Sequence, residues 1–501
     1  MRERVSREKR RGNQTNWRVA PGNRRTTNGT KTAVILTLAW LSVLAGCAVG
    51  PDYVKPDATL GPLHNAEMVA SRPSVAEEPP LDQWWQGFHD PQLTRIIERV
   101  FKQNLDIRAS LERVAQARAV AKAAGAKLLP SLDANAQAMR ERMSLENPLA
   151  IIATSAMPDF PQTSNLFDVG LGASWEIDLF GGLRRQEETA LAMAGAAEAS
   201  HVGVRISVAA EAADTYFAIR GVQAQLRAID ARITNDADLL AMLKEQRTHG
   251  LATDREVAQG EALLAHTQGE GTLLRVDLEA QLNRLDVLMG AQPGTYAGEL
   301  RLPSAIPTAP RITAQSADFL RRRPDVIVAE RQLAAANARI GAAVAGYYPT
   351  ISLSGVLGYE SLTVGNLFQD TTFQPLGIVG LRWRLFDFGR IDAEVAQADA
   401  ATREALLRYR QVILRAAEDV ENACVSLAQL EVYSQDVDRQ IKALTQVYDD
   451  SKTAYLAGMI PLTDVLDADR QLLAAESQLP RARADAARAA VRLFRSLGGG
   501  W

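Results

Sequence analysis

The chain has 501 residues, a formal net charge of −3, 6% aromatic residues and abundant alanine, a mix that suits long helices packed edge to edge better than thick cores. Residues 1–31 carry ten Lys/Arg against two Asp/Glu, so the leader is about +8 and the remainder near −11, which argues against nucleic acid as a partner. No run of 18 or more apolar residues occurs, which excludes a spanning helix but not membrane strands, whose hydropathy signal is far weaker.

The basic leader is followed by a short apolar stretch over residues 32–46. A positive region, a short apolar core and small residues together make an export signal. The small residues end in Leu44-Ala45-Gly46-Cys47, which resembles a bacterial lipobox. That resemblance implies removal of residues 1–46, lipidation of Cys47, and sorting to the outer membrane, since Ala48 follows the cysteine. An ordinary signal with an incidental cysteine is the other reading. The second cysteine, Cys424, falls next to a helix seam and reads as a small packing residue, so no disulfide framework is indicated. Residues 47–90 are Pro-rich and contain Trp84-Trp85; they read as an extended tether folding back on the body, with the tryptophans as packing anchors.

From residue 91 the chain repeats itself. A helix is expected from Pro91 to Lys127, through Leu93, Ile96, Ile97, Val100 and Leu105; its second copy, 219 residues on, spans Arg323 to Gly346. Each helix leads into strands of period two. Leu132, Ala134, Ala136 and Ala138 alternate with polar residues, as do Phe167, Val169, Leu171, Ala173, Trp175 and Ile177. The second copy offers Ile351, Leu353 and Leu357, then Val379, Leu381, Trp383 and Leu385. Each repeat thus carries one β-hairpin, over 130–180 and 349–389, with the longer turn in the first.

A proline-free rod follows each hairpin. In the second, Ala416, Val420, Ala423, Leu427, Leu430, Val437, Ile441 and Leu444 step by threes and fours, with Ser434 as the polar interruption. In the first, 208 residues earlier, stand Ala212, Ile219, Val222, Leu226, Ile229, Ile233 and Leu240. Such a 3.5-residue period makes a coiled-coil seam, and each rod would be roughly 100 Å long. The rods break at Gly250-Leu251-Ala252 and Gly458-Met459-Ile460, and Thr253 or Thr463 can cap the returning helix. The expected domains are a signal over 1–46, a tether over 47–90, a first repeat over 91–290, a linker over 291–317 and a second repeat over 318–501.

Four strands cannot close a barrel, and open edges are not tolerated in lipid. An exported chain with apolar-outward strands must therefore complete its wall with further copies; three give about 12 strands and a conducting lumen. Trp175 and Trp383 stand at matching strand ends, either as an interfacial aromatic belt or as packing at the strand–helix junction.

The duplicated helix–hairpin–rod–return units, the paired Gly breaks, the lipobox and Gly50-Pro51-Asp52-Tyr53 resemble the TolC-type outer membrane factors, in their NodT and OprM-like lipoprotein branch. The resemblance covers Cys47 to about Leu497. It implies a mainly α protein with membrane β structure: a homotrimer with a 12-stranded β-barrel in outer-membrane lipid, standing on an α-helical barrel that reaches through the periplasm. It implies docking to a periplasmic adaptor (membrane fusion protein) and an inner-membrane efflux pump that expels drugs, metals or other small solutes. Matching positions place the periplasmic aperture at Asp464 and Asp467, a link between neighbouring coils at Tyr455 with Glu256 as partner, and the adaptor-contacting tips at Gly250, Leu251, Ala252, Gly458, Met459 and Ile460. Where a relative carries a basic residue, this chain has Ile460, so the closed-state clamp is weaker or differently built. Three copies of each aspartate about one axis would recruit cations and resist tight closure; acids that merely favour a helix N-terminus are the other reading.

The five histidines show no metal-ligand spacing, and no phosphate loop, dinucleotide fingerprint or nucleophile elbow is present. Nothing points to an enzyme or a cofactor. Arg321-Arg322-Arg323 before Pro324 reads as a solvated helix start rather than an anion site. A periplasmic adaptor or a structural coiled-coil envelope lipoprotein remains the alternative, though an adaptor usually has one helical hairpin and β-rich flanks.

Overall fold

The computed structural model describes residues 48–57, 60–72, 79–157, 161–301, 304–312 and 319–500. The lipobox cysteine, Cys47, and the export signal lie outside the described residues.

The helical part begins with α1 (Pro91–Gln103) and α2 (Leu105–Ala126). Asp90 caps α1 by accepting the amides of Gln92 and Leu93 at 2.8 and 3.2 Å, with Pro91 pre-set in the first turn. The single helix expected over 91–127 is therefore two. Asn104 adopts an extended backbone and its side chain accepts the Ile107 amide at 3.0 Å, starting a new helix. Leu105, read as core, is consequently 64% exposed.

Each repeat then delivers two strands: β1 (Ser131–Arg142) with β2 (Thr163–Ile177), and β3 (Thr350–Ser361) with β4 (Phe373–Arg382). The turn of the first hairpin is the longer and holds a short helix, Pro148–Ala156. All four strands join one antiparallel sheet in the order β1-β2-β3-β4. The register places Ala134, Leu171, Leu357 and Pro375 in one row and Ala136, Val169, Tyr359 and Phe373 in another, so one face is apolar across the sheet. The opposite face carries rows such as Asn135, Gly170, Gly358 and Gln374 and is polar or glycine for most of its extent. The outer edges of β1 and β4 have no partner strand among the described residues. Trp383 and Leu385, read as continuing the last strand, lie past its end at Arg382. The chain turns there because Asp387 accepts the amides of Gly389 (3.1 Å) and Ile391 (3.0 Å) and so starts the next helix.

The rods are α3 (Gly182–Thr248) and, after α5 (Pro324–Val344) and the second hairpin, α6 (Arg390–Leu456); each has 67 residues, about 100 Å. Their return helices, α4 (Asp254–Leu288) and α7 (Leu462–Ser496), have 35 residues each. A shift of 208 maps every one of these boundaries onto its counterpart. The seam holds as expected in the upper half, where Ala212, Ile219, Val222, Ala416, Val420 and Leu427 are buried, and thins towards the tips, where Ile441 and Leu444 are half-buried. α3 packs against α4 and α7, and α6 against α5 and α7. The lower half therefore runs α4-α3-α7-α6, with one flank of α4 and one of α6 facing away from the chain.

The tether folds back as expected. Val49 N–H donates to Phe180 O at 3.0 Å, Tyr53 OH to Glu330 at 2.9 Å, and Arg72 binds Glu431. Arg323 corrects the solvated reading of its arginine run. It is buried, binds Asp325 and Asp419, and donates to Ser496 O at 3.0 Å. Its counterpart in the first repeat is Asn104, which donates to Leu288 O at 2.8 Å. In both repeats the residue before the second helix ties down the last turn of the return helix, where a donor or cation meets free carbonyls. Arg323→Ala is expected to cost about 2–3 kcal/mol, and Asn104→Ala about 1–2 kcal/mol; urea unfolding followed by far-UV circular dichroism checks both.

Candidate functional site

The two rod tips are built alike. In the first, Gly250 N–H donates to Arg247 O at 3.0 Å and Leu251 N–H to Gln246 O at 2.9 Å; in the second, Gly458 donates to Tyr455 O at 2.8 Å and Met459 to Ala454 O at 2.9 Å. This paired closure needs a left-handed residue, and both glycines have it, at φ +71° and +72°. Leu251 and Met459 then project at 77% and 71% exposure, while Ala252 and Ile460 are half-buried. Ile460 packs on a small core of Leu240, Leu243, Val257, Leu462 and Val465 that joins the two tips.

The caps beyond the tips differ. Thr253 forms the full reciprocal box: it accepts the Glu256 amide at 3.3 Å, and the Glu256 carboxylate accepts from Thr253 N at 2.7 Å and its hydroxyl at 2.8 Å. The Thr253 backbone amide, then its hydroxyl, hold Glu256 below the usual carboxylate range. Thr463 makes no such cap. α7 starts at Leu462, two residues before the start a Thr463 cap would set, with Pro461 as the flanking residue and no side-chain cap, so Thr463 lies inside the helix.

Tyr455 is half-buried at the base of the second tip and its hydroxyl bonds Gln246 at 3.2 Å. The expected pairing with Glu256 is not made within the chain, where both Thr253 donors hold one oxygen of that carboxylate. The two groups are near enough for charge to act: burial, then Glu256, pushes the Tyr455 phenol up. Asp464 and Asp467 are exposed on one face of α7, three residues apart. Asp467 accepts from Gln471 Nε2 at 2.8 Å and Asp464 from Thr463 Oγ1 at 3.4 Å. Between the tips, Thr253, Glu256, Pro461 and Thr463 line a cleft of about 290 Å³.

At the other end of the rods, Trp175 Nε1 donates to Leu128 O at 2.9 Å and Trp383 Nε1 to Tyr347 O at 3.0 Å. Trp175 thus pins the end of β2, and Trp383 the residue just past β4, to the end of the helix that precedes its hairpin.

One cluster escaped the sequence reading. Arg232 and Asp236 of α3, Thr267 of α4 and Asp469 of α7 are all buried among the four long helices. Asp236 accepts from Thr267 Oγ1 at 2.7 Å and stands 3.4 Å from Arg232 Nε; Arg232 also pairs with Asp469, and its guanidinium lies 5.4 Å from the Tyr448 ring centre. The available signal was Asp236, a charged residue at a seam position that the second rod fills with Leu444. Among the described residues no group of three or more His, Cys, Asp or Glu is arranged to hold a metal, and no helix is long and apolar enough to cross a membrane.

A family model described as outer membrane efflux protein matches residues 96–291 and 316–499. The chain is 32% identical over 435 residues to the pyoverdine export outer membrane protein OpmQ of Pseudomonas putida, covering 85% of this chain and 90% of that protein. It is 29% identical over 475 residues to the toluene efflux pump outer membrane protein TtgI of Pseudomonas putida, covering 92% of this chain and 97% of that protein. The solved outer-membrane channel OprN superposes with a TM-score of 0.82 at 29% identity, over 91% of this chain and 100% of that one. The Campylobacter jejuni CmeC outer membrane channel does so at 0.83, over 91% and 95%, and at 22% identity speaks for the fold alone. The chain belongs to the outer membrane efflux proteins and is a channel subunit of the TolC and OprM type.

Proposed function

We infer that three copies of this chain close into one tube through which small solutes leave the periplasm. The observation that carries this reading is the four-stranded sheet, apolar on one face and polar on the other, with both edges open above two rods of 67 residues. Edges exposed to lipid must pair, and three such sheets give a 12-stranded barrel whose polar face lines water. Below it, the rods and return helices continue the wall for roughly 100 Å.

The tips Gly250-Leu251-Ala252 and Gly458-Met459-Ile460 dock a periplasmic adaptor coupled to an inner-membrane pump. The protruding Leu251 and Met459 and the cleft between the tips suit the apolar ends of partner helices. Asp464 and Asp467 line the narrow periplasmic mouth, and their solvent-facing position on α7 supports this. Lipidated Cys47 and the apolar face of the sheet, with Trp175 on it and Trp383 just past its end, hold the assembly in the outer membrane. The relatives are named for pyoverdine export and toluene efflux, and the choice of solute is assigned here to the pump.

Planar-bilayer recording of the purified full-length protein tests the reading. The wild type should form small, cation-preferring pores, and Asp464→Ala with Asp467→Ala should enlarge the conductance several-fold and weaken that preference. A protein that opens no pore even with both aspartates replaced would defeat it.

A further inference from the structure

The two repeats match in the boundaries of their long helices, so a cavity in one can be compared position by position with the other. Between α6 and the last turns of α7 lies a cavity of about 450 Å³, lined by Arg323, Asp419, Asn422, Ser426, Arg492 and Arg495. The first repeat has Asn104, Glu211, Asp214, Ala218, Arg284 and Val287 at these positions. One arginine and two carboxylates there become three arginines and one carboxylate in the second repeat. The single arginine of the first is paired, since Arg284 Nε donates to Glu211 at 3.0 Å.

In the second repeat, positive charge is left over. Arg323 is buried and donates to Asp419 at 2.8 Å, so the one carboxylate of the cavity is already answered. Arg492 reaches only Asp214, at 3.8 Å, and Arg488 holds that carboxylate with bonds of 2.9 and 2.8 Å. The side chains of Asn422, Ser426 and Arg495 have no partner among the described residues. A cation in the last turn of a helix is favoured by the dipole. Yet α4 carries Val287 in the same turn, so the helix end does not require Arg495.

The cavity opens away from the tether. Asn65 N–H donates to Glu421 at 2.9 Å and Arg72 binds Glu431, which marks the tether side of α6. At about 100° per residue, Asp419 and Ser426 emerge on roughly the opposite side. On α7, Phe494 stacks on Trp84 of the tether, and Arg492 and Arg495 lie about 160° and 100° round the helix from it. With the tether outside the tube, the cavity faces the water within.

We propose that this cavity binds small solutes carrying two or more carboxylate or phosphate groups and holds them part-way along the tube. Guanidinium forks match such oxyanions with paired hydrogen bonds, and the Asn422 amide and Ser426 hydroxyl add neutral donors. Three copies set three such cavities around one axis, a positive belt well above the acidic mouth. The pump selects what enters, and this site acts on what is already inside. Its place in the tube rests on the channel reading above.

Calorimetric titration of the detergent-purified full-length trimer with citrate and with pyrophosphate tests the site. Each subunit should take up one anion, and the tighter probe tells carboxylate from phosphate. Arg495→Gln should loosen binding on the order of tenfold, the loss of one charge-assisted contact. Asn422→Asp, which restores the acid of the first repeat, should loosen it at least as much. Arg323 is left in place because it also ties down the end of α7. Arg481→Gln removes another exposed arginine of α7, about 16 Å along the helix from Arg492. In about 0.1 M salt that charge is screened from the cavity, and the affinity should stay within about twofold. A wild type that binds neither probe would overturn the site. So would an Arg481→Gln chain that loses as much affinity as Arg495→Gln, the mark of diffuse charge. Added on the barrel side of a planar bilayer, the tighter probe should block the wild type several-fold more strongly than Arg495→Gln; equal block would put the cavity outside the conducting path. The titration needs no open pore. A protein that conducts but binds neither probe therefore defeats this inference alone, and one that binds but never conducts defeats the channel reading.

Discussion

Trp84→Ala is expected to cost about 3–5 kcal/mol, the range for deleting a fully buried aromatic side chain. Trp84 is 1% exposed and sits in a short 3₁₀ segment, Leu81–Phe88, that ends the tether. Its ring stacks on Phe494 of α7 at 5.5 Å and 15°, and meets Trp85 and Phe88 edge-on at 5.7 and 6.2 Å. Phe88 passes the contact to Phe217 of α3 at 4.9 Å. The indole therefore joins the tether to α7, and Phe88 beside it ties in α3. The closing glycines make room for it: Gly498 takes φ +75° to end α7, and a Cβ on Gly500 would reach 3.3 Å from Trp84 Nε1. Alanine would leave a cavity that helices fixed over 67 residues cannot collapse into. Trp84→Phe keeps the stacking and should cost well under half as much. Urea unfolding followed at 222 nm reads both; a midpoint for Trp84→Ala within error of the wild type would mean that the tether contributes no stability to the body.

The duplicated scaffold was legible because its signals are local and repeated. Gly250 and Gly458 announce left-handed helix ends, the heptad steps from Ala416 onward announce a long seam, and Leu132 to Ala138 announce a two-faced strand. What stayed hidden depends on partners distant in sequence. Asn104 breaks a helix that its neighbours favour because Leu288 O offers its amide a bond, and Arg323 is drawn inside by Asp419 and Ser496 O. The pairing of β2 with β3, which joins the two hairpins into one sheet, has no signature in either hairpin alone. Thr463 was a plausible cap by type, but Pro461 already fixes the extended residue that a helix start requires. Within the chain the Tyr455 hydroxyl bonds Gln246, while the Thr253 amide and hydroxyl hold one oxygen of Glu256.

Leu273→Asp combined with Val276→Asp is expected to convert the detergent-extracted trimer into single subunits without loss of helix. On α4 these side chains are 73% and 66% exposed, so within one chain the change touches no core. They are nonetheless part of a second seam. Gly269, Leu273, Val276, Ala280, Asn283 and Val287 step by fours and threes along the flank of α4 that faces away from α3. α6 has a free flank at the same height, with exposed Val425 and Val432 one heptad apart. In a ring of three, the order α4-α3-α7-α6 would set the α4 flank of one copy against the α6 flank of the next. Two carboxylates in that contact would be desolvated without a partner, at a cost of several kcal/mol per interface, and the ring contains three. Apolar rows of this length are rare on proteins that remain alone. Native mass measurement should therefore show the subunit alone for the double variant and three copies for the wild type, with unchanged circular dichroism. A double variant that stays trimeric would place the contact between copies on some other surface and remove the physical reason for these two exposed rows.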